Sequence, residues 1–96
     1  MEAYRRKIMK IIFAEQFAEN IGCTQSELAI QKPITVRELL ELMAGQYTYF
    51  QQHRSEFVES YPSFGVLLIN HRNIARLDDI ISNGDTIEVI PPLMGG

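Results

Sequence analysis

Residues 83–96 read NGDTIEVIPPLMGG, and this stretch contains the most specific pattern in the chain. Asn83-Gly84-Asp85 predicts a tight turn, because glycine can adopt the positive φ that such turns require. The following residues, Thr86 to Ile90, alternate polar and apolar side chains and predict a strand. Pro91 and Pro92 cannot continue a sheet ladder and favour an extended backbone. The stretch therefore predicts a turn, a final strand and a projecting tail.

Gly95 and Gly96 give this tail its chemical interest. Neither residue has a Cβ that would obstruct a narrow channel, and both can adopt backbone angles that other residues avoid. The alternative is an inert, frayed chain end. The sequence predicts that the carboxylate of Gly96 is the reactive group and that Gly95 helps it enter another protein's site.

Length and composition limit the classes of protein to consider. The chain has 96 residues, 46% of them hydrophobic and 22% charged, which is typical of one folded domain. The net charge is −3, and the basic residues are dispersed apart from Arg5-Arg6-Lys7. Because no broad cationic face can form, we expect no nucleic-acid partner.

Cys23 is the single cysteine, which excludes an intrachain disulfide and a cysteine-rich zinc site. It could relay sulfur, but a packed or merely exposed thiol is the more common role of a lone cysteine. The apolar run after Arg5-Arg6-Lys7 is interrupted by Lys10 and is too short for a signal peptide or a membrane span. We therefore expect a cytoplasmic protein without a membrane partner.

Thr35 and Glu38 have the spacing of a capping box, which predicts that a helix starts at Val36. An apolar stripe at helical spacing follows, and it predicts a face packed on a sheet rather than a ligand site. The stripe consists of Val36, Leu39, Leu40 and Met43. Gly45 is predicted to end or loosen this helix.

The segments before this helix predict two paired strands. Ile8 to Phe13 is rich in β-branched residues and predicts a central strand. Ala14 to Gly22 is ambiguous, although Phe17 and Ile21 share a helical spacing that Gly22 could close. Ser26 to Ile30 alternates as a half-buried edge strand does, so a hairpin with a long connection is expected.

Residues 46–62 are polar and aromatic, and they predict a helical turn or an irregular excursion anchored by Phe50 and Phe57. His53 and His71 are the only histidines, and neither has an acidic or cysteine partner at metal-ligand spacing. We therefore expect both histidines on the surface and no metal site.

The last third of the chain predicts further strands. Val66 to Ile69 is a continuous apolar run, as in a strand buried on both faces. A turn at residues 70–73, a short return strand at Ile74 to Arg76 and a 3₁₀-like turn at Leu77 to Ile81 are expected next. The whole order predicts an α+β roll, with a mixed sheet of about four to five strands packed on one main helix.

This order and the motif of residues 83–96 resemble the ubiquitin-like β-grasp sulfur carriers of the MoaD/ThiS family, most closely the small subunits of molybdopterin synthase. Lys10 to Ala14 is similar to the family's first strand, Thr35 to Leu40 to its helix start and Val66 to Asn70 to its third strand. The resemblance implies a β-grasp domain at residues 1–90 and a flexible tail at residues 91–96. The stretch from Tyr47 to Tyr61 is less regular than the family's short connection and argues against a thiamine-pathway carrier.

The resemblance also implies a chemistry and a set of partners. A ubiquitin-activating-type adenylating enzyme would use ATP to convert the carboxylate of Gly96 into an acyl-adenylate. A sulfur donor protein would then produce a thiocarboxylate, and the large catalytic subunit of molybdopterin synthase would use it to sulfurate a pterin precursor. The chain has no catalytic set, no phosphate-binding glycine motif and no cofactor site of its own, so we expect a carrier and not an independent enzyme.

A tail alone would bind a partner weakly, so an apolar docking patch is expected beside it. The residues predicted for partner binding are Phe13, Ile74, Ile90, Leu93 and Met94. Core packing is the alternative for the first three, and for Phe13 the two readings are equally balanced. Other functions stay open: a sulfur carrier for thiamine, cysteine or tungsten-pterin assembly, a ubiquitin-like modifier joined to lysines, or an interaction module with an inert tail.

Overall fold

A computed structural model of the protein describes residues 8–72 and 74–92. The described residues form six strands and four helices. In chain order these are β1 (Met9–Phe13), α1 (Glu15–Ile21), β2 (Gln25–Leu28), β3 (Ile34–Thr35), α2 (Val36–Gln46), α3 (Thr48–Gln52), α4 (Arg54–Val58), β4 (Val66–Ile69), β5 (Ile80–Ile81) and β6 (Thr86–Ile90).

The main sheet has four strands in the order β2-β1-β6-β4. The central pair, β1 and β6, is parallel, while β2 and β4 pair antiparallel with their neighbours. A separate two-stranded sheet joins β3 to β5. This mixed sheet with helices on one side is the α+β, ubiquitin-like β-grasp fold that the sequence predicts.

Helix α2 begins as its capping box predicts. The Glu38 backbone N–H donates to Thr35 Oγ1 over 3.1 Å, and Glu38 Oε1 accepts from the Thr35 backbone N–H over 2.8 Å. The predicted apolar stripe of this helix is fully buried against the inner face of the main sheet. The helix and the sheet therefore enclose one core between them.

Residues 46–62 form two short helices, α3 and α4, in place of an irregular excursion. Phe50 and Phe57 are buried, with ring centroids 4.3 Å apart, and both extend the core as predicted. Arg54 of α4 donates two hydrogen bonds to the Glu41 carboxylate of α2, at 2.7 and 2.6 Å. This segment is thus an integral helical layer beside α2.

Four expectations need correction. Helix α2 ends at Gln46, one residue beyond Gly45, where the sequence predicted that it would end or loosen. The 3₁₀-like turn predicted over Leu77 to Ile81 is present only in its first part, where the Asp79 N–H donates to Arg76 O over 3.0 Å. Ile80–Ile81 is instead a strand paired with Ile34–Thr35. The return strand at Ile74 is a single bridge to Leu68. Strand β4 is fully buried only at its first half.

Other expectations are confirmed. Residues 15–21 form α1, and Gly22 ends it with φ 101°, a left-handed value that glycine adopts without strain. Strands β1 and β2 pair antiparallel across this helical connection. Gly84 has φ 98° in the turn before β6. The boundary between a domain and a tail at residue 90 stays a prediction, since Leu93 to Gly96 lie outside the described residues.

Gly65→Ala is expected to destabilise the fold by about 1 to 3 kcal/mol, because a Cβ there would lie 2.6 Å from Cε1 of the buried Phe57 ring. Gly45→Ala is the matched control, since a Cβ at this exposed helical site meets nothing within 4 Å. The control should gain about 0.5 to 1 kcal/mol from better helix propensity. Urea unfolding of both variants tests this, and equal stabilities would contradict the packing around Gly65.

Candidate functional site

The main sheet has two chemically different faces. On the inner face Met9, Ile11, Ile87 and Val89 are buried in the core, in alternation with residues that point away from α2. We call the opposite side of the sheet the outer face. Because side chains alternate along a strand, the outer face carries the residues between these buried positions.

The outer face is apolar around one carboxylate. Glu88 of β6 is level with Ile12 of β1 on one side and with Leu68 of β4 on the other. Ile90 lies two residues further along β6, on the same face, and is half-buried. Ile74 bridges to Leu68 and is 49% exposed, which makes it one of the most exposed large apolar side chains in the described part of the chain. The outer face can therefore offer apolar contacts to another protein.

His71 reaches across the outer face to Glu88. Its Nδ1 lies 2.9 Å from Glu88 Oε1, and the two side chains are 67% and 24% exposed respectively. A carboxylate oxygen accepts hydrogen bonds, so this distance assigns the proton to Nδ1. In the described structure, the outer face thus carries a polar pair that joins the exposed imidazole of His71 to the mostly covered carboxylate of Glu88.

The turn after β4 holds His71 in this position. Asn70 and His71 have φ 55° and 61°, consecutive left-handed values that cost a non-glycine residue about 1 to 2 kcal/mol each. Asn70 compensates with several hydrogen bonds: its backbone N–H donates to Thr86 O (2.7 Å), its Oδ1 accepts from Thr86 N (2.9 Å) and its Nδ2 donates to Asp85 Oδ1 (3.1 Å). The hydrogen bonds of Asn70 therefore fix the orientation of the next residue, His71.

Tyr61 positions the Ile74 segment. Its hydroxyl donates to the carbonyl oxygen of Ala75 and accepts from the Leu67 backbone N–H over 3.2 Å. Burial raises the pKa of Tyr61 above the ordinary phenol value, and the hydrogen bond from Leu67 opposes part of that rise. The phenol therefore stays protonated at neutral pH and keeps donating to this segment.

The predicted partner-binding residues are only partly brought together. Ile74 and Ile90 lie on the outer face, on either side of β4. Phe13 does not join them: it is 4% exposed and packs in the core with its ring edge-on to Tyr47, so the core reading is correct for this residue. Its position on β1 alternates with Ile12, which takes the outer place that Phe13 was predicted to fill.

The predicted tail is described only at its base. Pro91 and Pro92 follow β6 without joining a strand, and both are half-buried. Leu93, Met94, Gly95 and Gly96 lie outside the described residues. The base of the tail nevertheless leaves the strand that carries Glu88 and Ile90, so the outer face and the tail are continuous along one strand.

Each histidine forms a hydrogen-bonded pair with one glutamate. His53 Nδ1 lies 2.6 Å from Glu56 Oε1, and His71 pairs with Glu88, a residue 17 positions away. Residues 8–72 and 74–92 contain no cluster of three or more His, Cys, Asp or Glu side chains that could hold a metal ion. Cys23 is half-buried and packs against the core beside an open depression lined by Phe13 and Ala18.

Sequence reasoning missed Ile12, Leu68, His71 and Glu88 as parts of this face. The alternation in Thr86 to Ile90 could have placed Glu88 opposite the core, because Ile87 and Val89 are the apolar neighbours. The contact with His71 could not be read from spacing, since it depends on the pairing of β4 with β6 and on two left-handed residues.

Comparisons with known proteins agree with this architecture. The ThiS family model matches residues 11–96. The fold is similar to SAMP1 from Haloferax volcanii (TM-score 0.72, 23% identity, covering 93% of this chain and 99% of that one). It is also similar to a protein designated a candidate molybdopterin converting factor, subunit 1, from Pyrococcus furiosus (TM-score 0.61, 21% identity, covering 91% and 99%).

A solution structure of the HVO 2177 protein from Haloferax volcanii gives a TM-score of 0.73 at 21% identity, covering all of this chain and 94% of that one. The search of curated proteins gave no match. No helix in the described ranges has the length and apolar character needed to cross a membrane. These likenesses establish the fold, and the family match extends through the final glycines.

Proposed function

This chain belongs to the ThiS family, and on that premise we propose that it is a sulfur carrier whose reactive group is the carboxylate of Gly96. The family match carries the proposal, because it covers both the β-grasp core and the closing Pro-Pro and Gly-Gly positions. The continuity of β6 with the tail supports it, since a partner seated on the outer face would receive the residues that follow.

The chemistry needs a partner, since an α-carboxylate with a pKa of about 3.5 is ionised at neutral pH and is a poor electrophile. A ubiquitin-activating-type enzyme would transfer AMP from ATP to Gly96 and release pyrophosphate. A sulfide equivalent from a sulfur donor protein would then displace AMP and leave a thiocarboxylate. The carrier would contribute the reagent, and its partners would contribute ATP binding and the acid and base groups, so no cofactor would stay bound to the carrier.

Molybdenum cofactor biosynthesis is the pathway that we propose. In this reaction the thiocarboxylate would enter the large catalytic subunit of molybdopterin synthase and give its sulfur to the pterin precursor. The motif of residues 83–96 supports this assignment, as does the name of the similar Pyrococcus furiosus protein. The single cysteine fits a reducing cytoplasm, where we place the reaction.

Protein modification is a second candidate function. The name of a structural neighbour, small archaeal modifier protein 1 from Haloferax volcanii, favours it (TM-score 0.73, 21% identity, covering 91% of this chain and 99% of that one). In this case the activated Gly96 would form an amide with lysine side chains. The same acyl-adenylate would precede both outcomes, and the acceptor would decide between them.

Intact mass spectrometry tests the proposal. The full chain is incubated with a ubiquitin-activating-type enzyme, ATP and sulfide, and a sample without ATP serves as the control. The mass gain of one oxygen-to-sulfur exchange at Gly96 is the expected result for a sulfur carrier. Lysine-linked adducts would instead identify a modifier, and an unchanged mass in every sample would contradict both functions.

Ile74→Asp is expected to weaken binding of the activating enzyme by about tenfold or more, because it places a charge in the apolar contact that we propose for the outer face. Leu42→Asp is the matched control: Leu42 is similarly exposed, at 47% against 49%, but lies on α2 behind the core. Biolayer interferometry measures both. Equal losses in the two variants would show that the outer face is not the docking surface.

A further inference from the structure

Glu88 presents a physical difficulty for any partner that covers the outer face. Its neighbours on both adjacent strands are apolar, and its side chain is only 24% exposed. A partner would remove the remaining water from this carboxylate, and a desolvated charge is costly unless it is paired. Docking on this face therefore requires a counter-charge for Glu88.

His71 is the counter-charge that the fold supplies. With a neutral imidazole the His71–Glu88 pair carries one negative charge, whereas with a protonated imidazole the pair is neutral. A neutral, hydrogen-bonded pair is cheaper to bury than a charged one. Covering the outer face therefore favours the protonated form of His71.

We propose that the docking partner covers the His71–Glu88 pair with His71 as an imidazolium, whose Nδ1–H donates to Glu88 and whose Nε2–H donates to an oxygen acceptor of the partner. The partner is the ubiquitin-activating-type enzyme that adenylates the tail. Its surface there is apolar except for one carbonyl or carboxylate oxygen opposite His71. This inference rests on the proposed function. Docking then takes up one proton.

The alternative is that a cation of the partner displaces His71 and pairs with Glu88 in its place. The structure favours retention of His71, because the turn that carries it is already ordered by the three hydrogen bonds of Asn70 and by the Arg72 N–H bond to Ile69 O at 3.1 Å. A pre-organised donor loses little entropy on binding. Displacing His71 would break the hydrogen bond to Glu88 that the fold has already formed.

Four other charged side chains lie near this pair. Lys10 of β1 and Glu27 of β2 are level with each other on the outer face, Asp85 accepts from Asn70, and Arg72 follows His71. Carboxylates, lysines and arginines ordinarily keep their charge from about pH 6 to about pH 8. The proposal therefore requires the proton to go to His71.

The test measures the Kd of the ubiquitin-activating-type enzyme, without ATP, for the full chain from about pH 6 to pH 8. Affinity should weaken by up to about tenfold per pH unit as the pH rises, because docking takes up one proton. His71→Gln keeps a hydrogen-bond donor for Glu88 but cannot titrate, so the ratio of its Kd to that of the wild type isolates this proton from titrations in the enzyme. Glu88→Gln removes the need for a counter-charge while leaving His71 in place.

His53→Gln is the matched control, because His53 also pairs with a glutamate, Glu56, but lies between α3 and α4. The wild type and His53→Gln should show the same dependence of Kd on pH. His71→Gln and Glu88→Gln should both lose this dependence. A slope that His71→Gln retains, a flat wild type, or affinity that rises with pH would overturn the inference. Incubating the same variants with the enzyme, ATP and sulfide separates the two proposals. A normal mass gain together with a flat pH dependence would contradict the protonation of His71 on docking but not the sulfur-carrier function.

Discussion

Deletion of Gly96 is expected to abolish sulfur loading of the chain while leaving its folding unchanged. Each extended residue spans about 3.3 to 3.6 Å, so removing one residue withdraws the carboxylate by that distance from the site that activates it. A misplacement of about 1 Å in a reacting group can cost about 100-fold in rate. Intact mass after incubation with the activating enzyme, ATP and sulfide should show no exchange of oxygen for sulfur.

Addition of one alanine after Gly96 is the complementary variant, since it advances the carboxylate by the same distance and adds a Cβ. Thermal melts of both variants should match the wild type, because the buried cluster of the described residues runs from Met9 to Val89 and both changes lie beyond it. The position of the carboxylate would be irrelevant if the extended chain, with its added alanine still present in the intact mass, accepted sulfur at the normal rate.

The sequence predicts most of this fold because its strongest local signals agree with the tertiary structure. The capping box of Thr35 and Glu38 and the turn at Gly84 are satisfied by residues close in the chain, so spacing alone locates them. The short strand Ile80–Ile81 has no such local signal. It exists because it pairs with Ile34–Thr35, a contact between residues more than 40 positions apart that no local pattern encodes.

The candidate site was predicted in part. Ile74 and Ile90 were predicted for an apolar patch beside the tail from their positions in the resembling motifs, and both lie on the outer face. Phe13 was harder to assign, since its side depends on the register of β1 with β6, where it is level with Val89 on the inner face. The His71–Glu88 pair depends on register and on turn geometry together, so it became visible only in three dimensions.

Leu39→Ala is expected to destabilise the protein by about 2 to 5 kcal/mol, the range found when a fully buried leucine is truncated. Leu39 has 0% exposure and lies on the face of α2 that packs against the inner face of the sheet. The substitution removes apolar contacts and leaves a cavity that close-packed neighbours cannot fill completely. For a domain of this size, the melting temperature should fall by about 4 to 8 °C per kcal/mol.

Leu42→Ala provides the matched control, because it makes the same substitution in the same helix at a side chain that is 47% exposed. Helix propensity changes equally in the two variants, so the difference between them isolates burial. The control should stay within about 0.5 kcal/mol of the wild type, as most exposed substitutions do. If both variants melted together, α2 would not pack on the sheet through Leu39, and the assignment of the inner face of the sheet to the core would be wrong.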